Sequence, residues 1–212
     1  MPIIVRGRFK KRLNTEDKRY SIIYNAVEYA DKEGLGTLAR IINKIELGYA
    51  RLAGTSEKKE DQIINLNQLQ DLEQIFVKRI QEIIDVESLL DAEDFSYIVY
   101  LWEAFDKEGA QKFIFSLFED DSQKLKYICA MASRWNGSNG SGWNFHSKHY
   151  SSYISDEEVY NLIQKYDKKK LDEFSDIEQI KLASFVLNYP RGEMDHVNEQ
   201  KARELVEEWK HL

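Results

Sequence analysis

Apolar residues recur three and four positions apart along nearly the whole chain, the spacing that gathers side chains onto one face of an α-helix. The first stripe is Ile22, Ile23, Ala26, Val27 and Ala30, with Asn14 placed as its N-cap and Asp17 three residues on. Gly34-Leu35-Gly36 interrupts it, and Thr37 is placed to cap the next stripe of Leu38, Ile41, Ile42, Ile45, Tyr49 and Leu52. Residues 54–61 are polar and charged, as a surface loop requires. Leu66, Leu69, Leu72, Phe76, Ile80, Ile83 and Ile84 then predict one long helix, with Asn67 and Gln70 in a cap-like relation at its start.

Three shorter stripes follow. They are Ile98, Leu101, Trp102 and Phe105; Phe113, Ile114, Leu117 and Phe118; and Leu125, Ile128, Cys129, Ala132 and Trp135. Asp106-Lys107-Glu108-Gly109 and Glu119-Asp120-Asp121-Ser122 separate them, and connections this short favour antiparallel neighbours. Ser155-Asp156-Glu157-Glu158 and Ser175-Asp176-Ile177-Glu178 each read as a capping box. The first precedes Val159, Leu162, Ile163 and Tyr166, and the second Ile180, Ala183, Ser184 and Leu187. Tyr189-Pro190-Arg191-Gly192 predicts a turn before a last helix from about Val197 to Trp209, with Ala202, Leu205, Val206 and Trp209 inward.

The two prolines, Pro2 and Pro190, lie near the ends, so nothing between them forbids helix. The expected fold is therefore all-α, a bundle of about eight to ten antiparallel helices with at most one short N-terminal strand at Ile3-Ile4-Val5. Four stretches are distinguished within what reads as one compact domain. They are a basic lead-in over 1–13, a helical core over 14–135, a Gly/Ser-rich aromatic loop over 136–153, and a C-terminal helical subdomain over 154–212. Residues 95–160 hold 15 of the 26 Phe, Trp and Tyr, which places the main core there.

Composition narrows the classes of function. The 30 basic and 37 acidic residues leave a net charge of −7, which opposes a broad polyanion-binding surface. The first 20 residues run the other way, with Arg6, Arg8, Lys10, Lys11, Arg12, Lys18 and Arg19 against Glu16 and Asp17. That arm is the candidate nucleic-acid contact, carried by Arg6, Arg8, Lys10, Lys11 and Arg12. One cysteine excludes an internal disulfide. No apolar run approaches the ~20 residues of a bilayer span, and the apolar start is too short for a signal-peptide core. A soluble protein of the reducing cytoplasm, with no membrane partner, is the expectation.

Candidate chemistry is sparse. No glycine is followed by lysine, so the P-loop pattern G-x-x-x-x-G-K-[ST] is absent and no nucleotide cofactor is expected. His146 and His149 are three apart, with His196 distant, and they are the candidate metal ligands of a small metal-dependent enzyme. No H-E-x-x-H motif accompanies them. Cys129 falls on an inward stripe, where a thiol stays protonated and inert. Ser133 and Ser141 lack the G-x-S-x-G elbow. No catalytic residue is assigned, and the chain reads as a non-enzyme. The aperiodic, aromatic 136–153 segment offers Trp143, Phe145, His146, His149 and Tyr150 as candidate contact residues, since loops on rigid scaffolds often carry function. Equally, its aromatic residues can pin the loop to the core.

Four pieces of the chain carry a family resemblance. They are the lead-in Arg6-Gly7-Arg8-Phe9-Lys10-Lys11-Arg12-Leu13 running into Glu16-Asp17-Lys18-Arg19; the helix opening at Leu66-Asn67-Gln68-Leu69-Gln70 and continuing to Ile84; Ser88-Leu89-Leu90 followed by Ser96-Tyr97-Ile98-Val99-Tyr100-Leu101-Trp102; and residues 113–135 leading through the glycines to Trp143 and Ile154-Ser155. Together they resemble the helical C-terminal region of KAP-type P-loop NTPases, a bacterial ATPase family related to STAND-like signalling and antiviral proteins. The resemblance covers residues 6–165 and omits the ATPase domain, so it implies no catalytic residue here. It implies a helical interaction or regulatory module, of sensor type, that serves a P-loop ATPase in cis or in trans in bacterial or phage defence. Self-association is the other protein contact it allows.

Overall fold

A computed structural model describes residues 18–39, 66–90, 92–137, 140–191 and 198–211. The basic lead-in, its Arg6, Arg8, Lys10, Lys11 and Arg12, the Asn14 cap, the Ile3–Val5 strand and His196 lie outside the described residues. The protein is all-α. In chain order the helices are α1 (Lys18–Glu28), α2 (residues 32–39), α3 (Leu66–Ile83), α4 (Val86–Leu90), α5 (Ala92–Ser116), α6 (Asp121–Met131), α7 (Asp156–Lys165), α8 (Asp176–Asn188) and α9 (Glu199–Lys210). Between α6 and α7 strands β1 (Ser133–Gly137) and β2 (Gly140–Asn144) form an antiparallel hairpin, followed by a 3-10 turn at Ser147–His149. The hairpin corrects the expectation of a strand at the N-terminus alone and of a loop across 136–153.

The chain divides into two compact units, Met1–Ile84 with Tyr97–Phe105, and Asp85–Ser96 with Asp106–Leu212. In the first unit α1 packs on α3. Val27, Leu72, Phe76 and Ile80 are fully buried, Phe76 meets Phe105 edge-on at 5.9 Å, and Arg79 Nε donates to the Ala30 carbonyl at 2.9 Å. The α1 stripe is only half right. Val27 and Ala30 face inward, but Ile22 and Ala26 are exposed.

In α5, Asp106 leaves helical geometry (φ −150°, ψ 85°) and its Oδ1 accepts from the Gly109 amide at 3.0 Å, recapping the helix that follows. The carboxylate folds over Gly109 so closely that a Cβ there would lie 2.0 Å from Oδ2. A side chain at 109 would therefore push the exposed Asp106 carboxylate out of its capping position.

The second unit is organised around α8. Its Ile180, Leu182, Ala183, Ser184, Phe185 and Asn188 are all buried, so the helix is covered on most sides, as expected of a central helix. It packs against α6, α7, α9 and β2. Both capping boxes form: the Ser155 hydroxyl accepts from the Glu158 amide while Glu158 returns to the Ser155 amide, and Ser175 and Glu178 repeat the arrangement. These hydrogen bonds hold the Glu158 carboxyl below the usual carboxylate range. A second aromatic cluster centres on Phe115, which meets Phe118 and Tyr127 edge-on at 5.6 and 5.5 Å and stacks on Tyr153 at 4.4 Å.

Two tyrosines are expected to make the unit sensitive to alkali. Burial and a hydrogen bond to Asp156 push the Tyr150 phenol well above its ordinary value. Burial and the bond to Glu173 push Tyr166 up to about 12. A raised phenol stabilises the fold fully below about pH 10, the unfolded value, and that contribution is lost as pH rises towards the folded value. Lys168 and Lys181 are lowered by burial and act oppositely, adding stability as pH approaches 10.5. Urea melts between pH 8 and pH 12 are expected to show stability falling above pH 10, with a shallower fall in Tyr150→Phe. An unchanged slope in that variant would contradict the assignment.

Candidate functional site

Alternation along β2 sorts its side chains onto two faces of the hairpin. Side chains on a strand point to opposite faces in turn. Trp143 faces α8, its ring 4.4 Å from Lys181 Nζ, and Phe145, two residues on, meets Phe185 of α8 edge-on at 5.0 Å. Arg134, paired with Trp143 across the hairpin, reaches Glu199 of α9 at 3.0 Å. Asn144 takes the other parity of the strand, and His146 follows two residues later, beyond the end of β2. Ser133 stands opposite Asn144 in the register, and its Oγ lies 2.9 Å from His146 Nε2.

Lys181 does more than cover Trp143. Its ammonium donates to the Cys129 carbonyl at 2.7 Å, in the last turn of α6, where a cation complements the helix dipole. Lys168 repeats the device at the end of α7, donating to the carbonyls of Ile163 and Tyr166 while resting on Trp209 at 4.8 Å. Cys129 is fully buried, its thiol pushed up by burial and directed at the Glu178 carbonyl at 3.8 Å. No sequence signal marked either lysine, because the partner of each is a backbone carbonyl.

The 146–152 turn is clasped from α5. Gln111, itself fully buried, donates from Nε2 to the Lys148 carbonyl and accepts at Oε1 from the Ser152 amide at 2.8 Å. Lys107, one turn earlier, donates to Ser151 Oγ at 3.0 Å. This grip places Phe145, His149 and Tyr150 inside the fold, at 4, 0 and 1 % exposure. Of the five contact candidates in that segment these three are therefore buried, while Trp143 and His146 are half-buried. The rings of His146 and His149 meet edge-on at 6.1 Å. Among the described residues no three His, Cys, Asp or Glu side chains cluster in a way that would hold a metal ion.

The first unit offers a different surface. Ile22 and Tyr29 are 62 and 78 % exposed. Ile22 is on α1 and Tyr29 is the turn residue that follows it, its amide donating to the Asn25 carbonyl at 3.1 Å, so the two, seven residues apart, share one side with exposed Ala26 between them. Beside them, α1 and α3 enclose an open cleft of about 490 Å3, lined by Ser21, Tyr24 and Glu28 on one wall and Asp71, Gln74 and Lys78 on the other. No described helix is long and apolar enough to cross a membrane. Comparison with protein-family models, curated proteins and solved structures returns no match to this chain.

Proposed function

We propose that the chain is a helical interaction and regulatory module of a P-loop ATPase, acting in cis or in trans, and that α1 is its contact element. The observation that carries this reading is the outward ridge of Ile22, Ala26 and Tyr29. A helix that, with the turn residue after it, keeps two large apolar side chains in water on one side has the form of one half of a helix-to-helix contact. Glu28 and Asp71 beside the ridge favour a partner segment whose apolar strip is flanked by cations. The resemblance of residues 6–165 to the helical region of KAP-type NTPases supplies the partner class, and the absence of a P-loop motif leaves ATP hydrolysis to that partner.

The test is a pull-down from the native cell with the full chain as bait and neighbouring reading frames expressed alongside. Recovery of a P-loop ATPase is expected with the unaltered chain and is expected to be lost with Ile22→Glu combined with Tyr29→Glu, both exposed positions that leave the core untouched. An ATPase retained by the double variant would overturn the α1 assignment. Nucleic acid that is released at high salt, with no ATPase, would instead favour the basic lead-in.

A further inference from the structure

We propose that Ser133, His146 and Asn144 form an acyl-transfer site on the open face of the hairpin, with Ser133 as nucleophile towards small activated carboxylic esters. Directly opposed residues of an antiparallel pair project to one face with Cβ atoms about 4.5–5.5 Å apart, which sets Asn144 beside Ser133. His146 follows two residues later, beyond the end of β2, and its Nε2 reaches Ser133 Oγ at 2.9 Å, within range for proton transfer. Ser133 is exposed, and Asn144 and His146 are half-buried. The opposite parity is fastened to α8 through Trp143 and Phe145, which leaves the opposed pair Ser133 and Asn144 on the other face of the hairpin. Behind His146 the His149 ring lies edge-on at 6.1 Å, in a turn gripped by Gln111.

Each group has a role in a balanced sequence. With His146 protonated at Nδ1, its Nε2 accepts the hydroxyl proton as Ser133 Oγ bonds to the ester carbon, and the Asn144 amide donates to the developing oxyanion. The carbon–oxygen bond to the alcohol breaks, and the imidazolium returns its proton to that leaving group. Water then attacks the acyl-serine, gives its proton to His146, and releases acid as the proton returns to Ser133. The net change is ester plus water to acid plus alcohol. Ser133 and the α1 ridge belong to different units, so either proposal stands without the other.

The test treats the full chain with a fluorophosphonate probe, maps the modified residue by peptide mass spectrometry, and follows hydrolysis of p-nitrophenyl acetate. Far-UV circular dichroism and melting confirm that Ser133→Ala and His146→Gln remain folded. Modification is expected at Ser133, faster than at the exposed Ser152, and absent in Ser133→Ala. His146→Gln is expected to slow both modification and hydrolysis by about 100-fold, the lower end of what a positioned base supplies. Modification of Ser133 no faster than of Ser152, or a rate unchanged in folded His146→Gln, overturns the proposal.

Discussion

Phe115→Ala is expected to lower the unfolding free energy by about 3–5 kcal/mol, the range for emptying a buried aromatic site. Phe115 is 1 % exposed and touches rings from three places: Phe118 beyond the end of its own helix, Tyr127 on α6, and Tyr153 in the segment leading to α7. Its removal opens a cavity where these elements converge, and no neighbour can collapse into it without abandoning another contact. Urea denaturation followed by tyrosine and tryptophan fluorescence measures the loss. A domain this small can fail to fold under such a change, so Phe115→Leu, expected to cost less than about 1.5 kcal/mol, provides a milder reading of the same site. A loss below about 1 kcal/mol in the alanine variant would show that the aromatic cluster is not the keystone of the second unit.

Gln111→Ala is the second large effect. The side chain is fully buried and satisfies one carbonyl and one amide of the 146–152 turn, so truncation leaves both without their partner. About 1–3 kcal/mol is expected, the cost of stranding buried polar groups. The signature is local as well as global. Amide exchange over residues 146–153 is expected to accelerate while α9 keeps its protection. Equal acceleration in both segments would mean that Gln111 supports the whole unit rather than the turn.

Local signals in the sequence foretold local structure well. Ser155 and Ser175 each stand three residues before a glutamate, and both boxes close with both hydrogen bonds. Leu72, Phe76 and Ile80 carry the inward stripe of α3, and Ala202, Val206 and Trp209 that of α9. These cases depend on spacing alone. Phe115 and Tyr127 escaped the stripes because burial on α5 and α6 is wider than one face, a property set by neighbours distant in sequence. The spacing places Ile22 inward for the complementary reason: periodicity finds an apolar face but does not reveal whether that face is buried.

The hairpin was legible in principle. Trp143-Asn144-Phe145-His146 alternates apolar and polar, and glycines 137 and 140 end strands joined through two residues, the usual hairpin spacing. Four residues of alternation are a weak signal beside helical stripes on either side. What no pattern contained was the meeting of Ser133 with His146, thirteen residues apart and brought together only by register. Gln111 was equally silent, because a glutamine that bonds backbone atoms has no partner residue to mark it.

The ridge on α1 is the centre of the functional account, and site-specific cross-linking addresses it directly. A benzophenone amino acid placed at position 29, with one at position 177 as an exposed control in the other unit, is irradiated in the native cell. The expected adduct joins position 29, and not position 177, to a polypeptide that carries a P-loop motif. Adducts of the same composition from both positions, or an adduct from position 29 to proteins without that motif, would contradict the account.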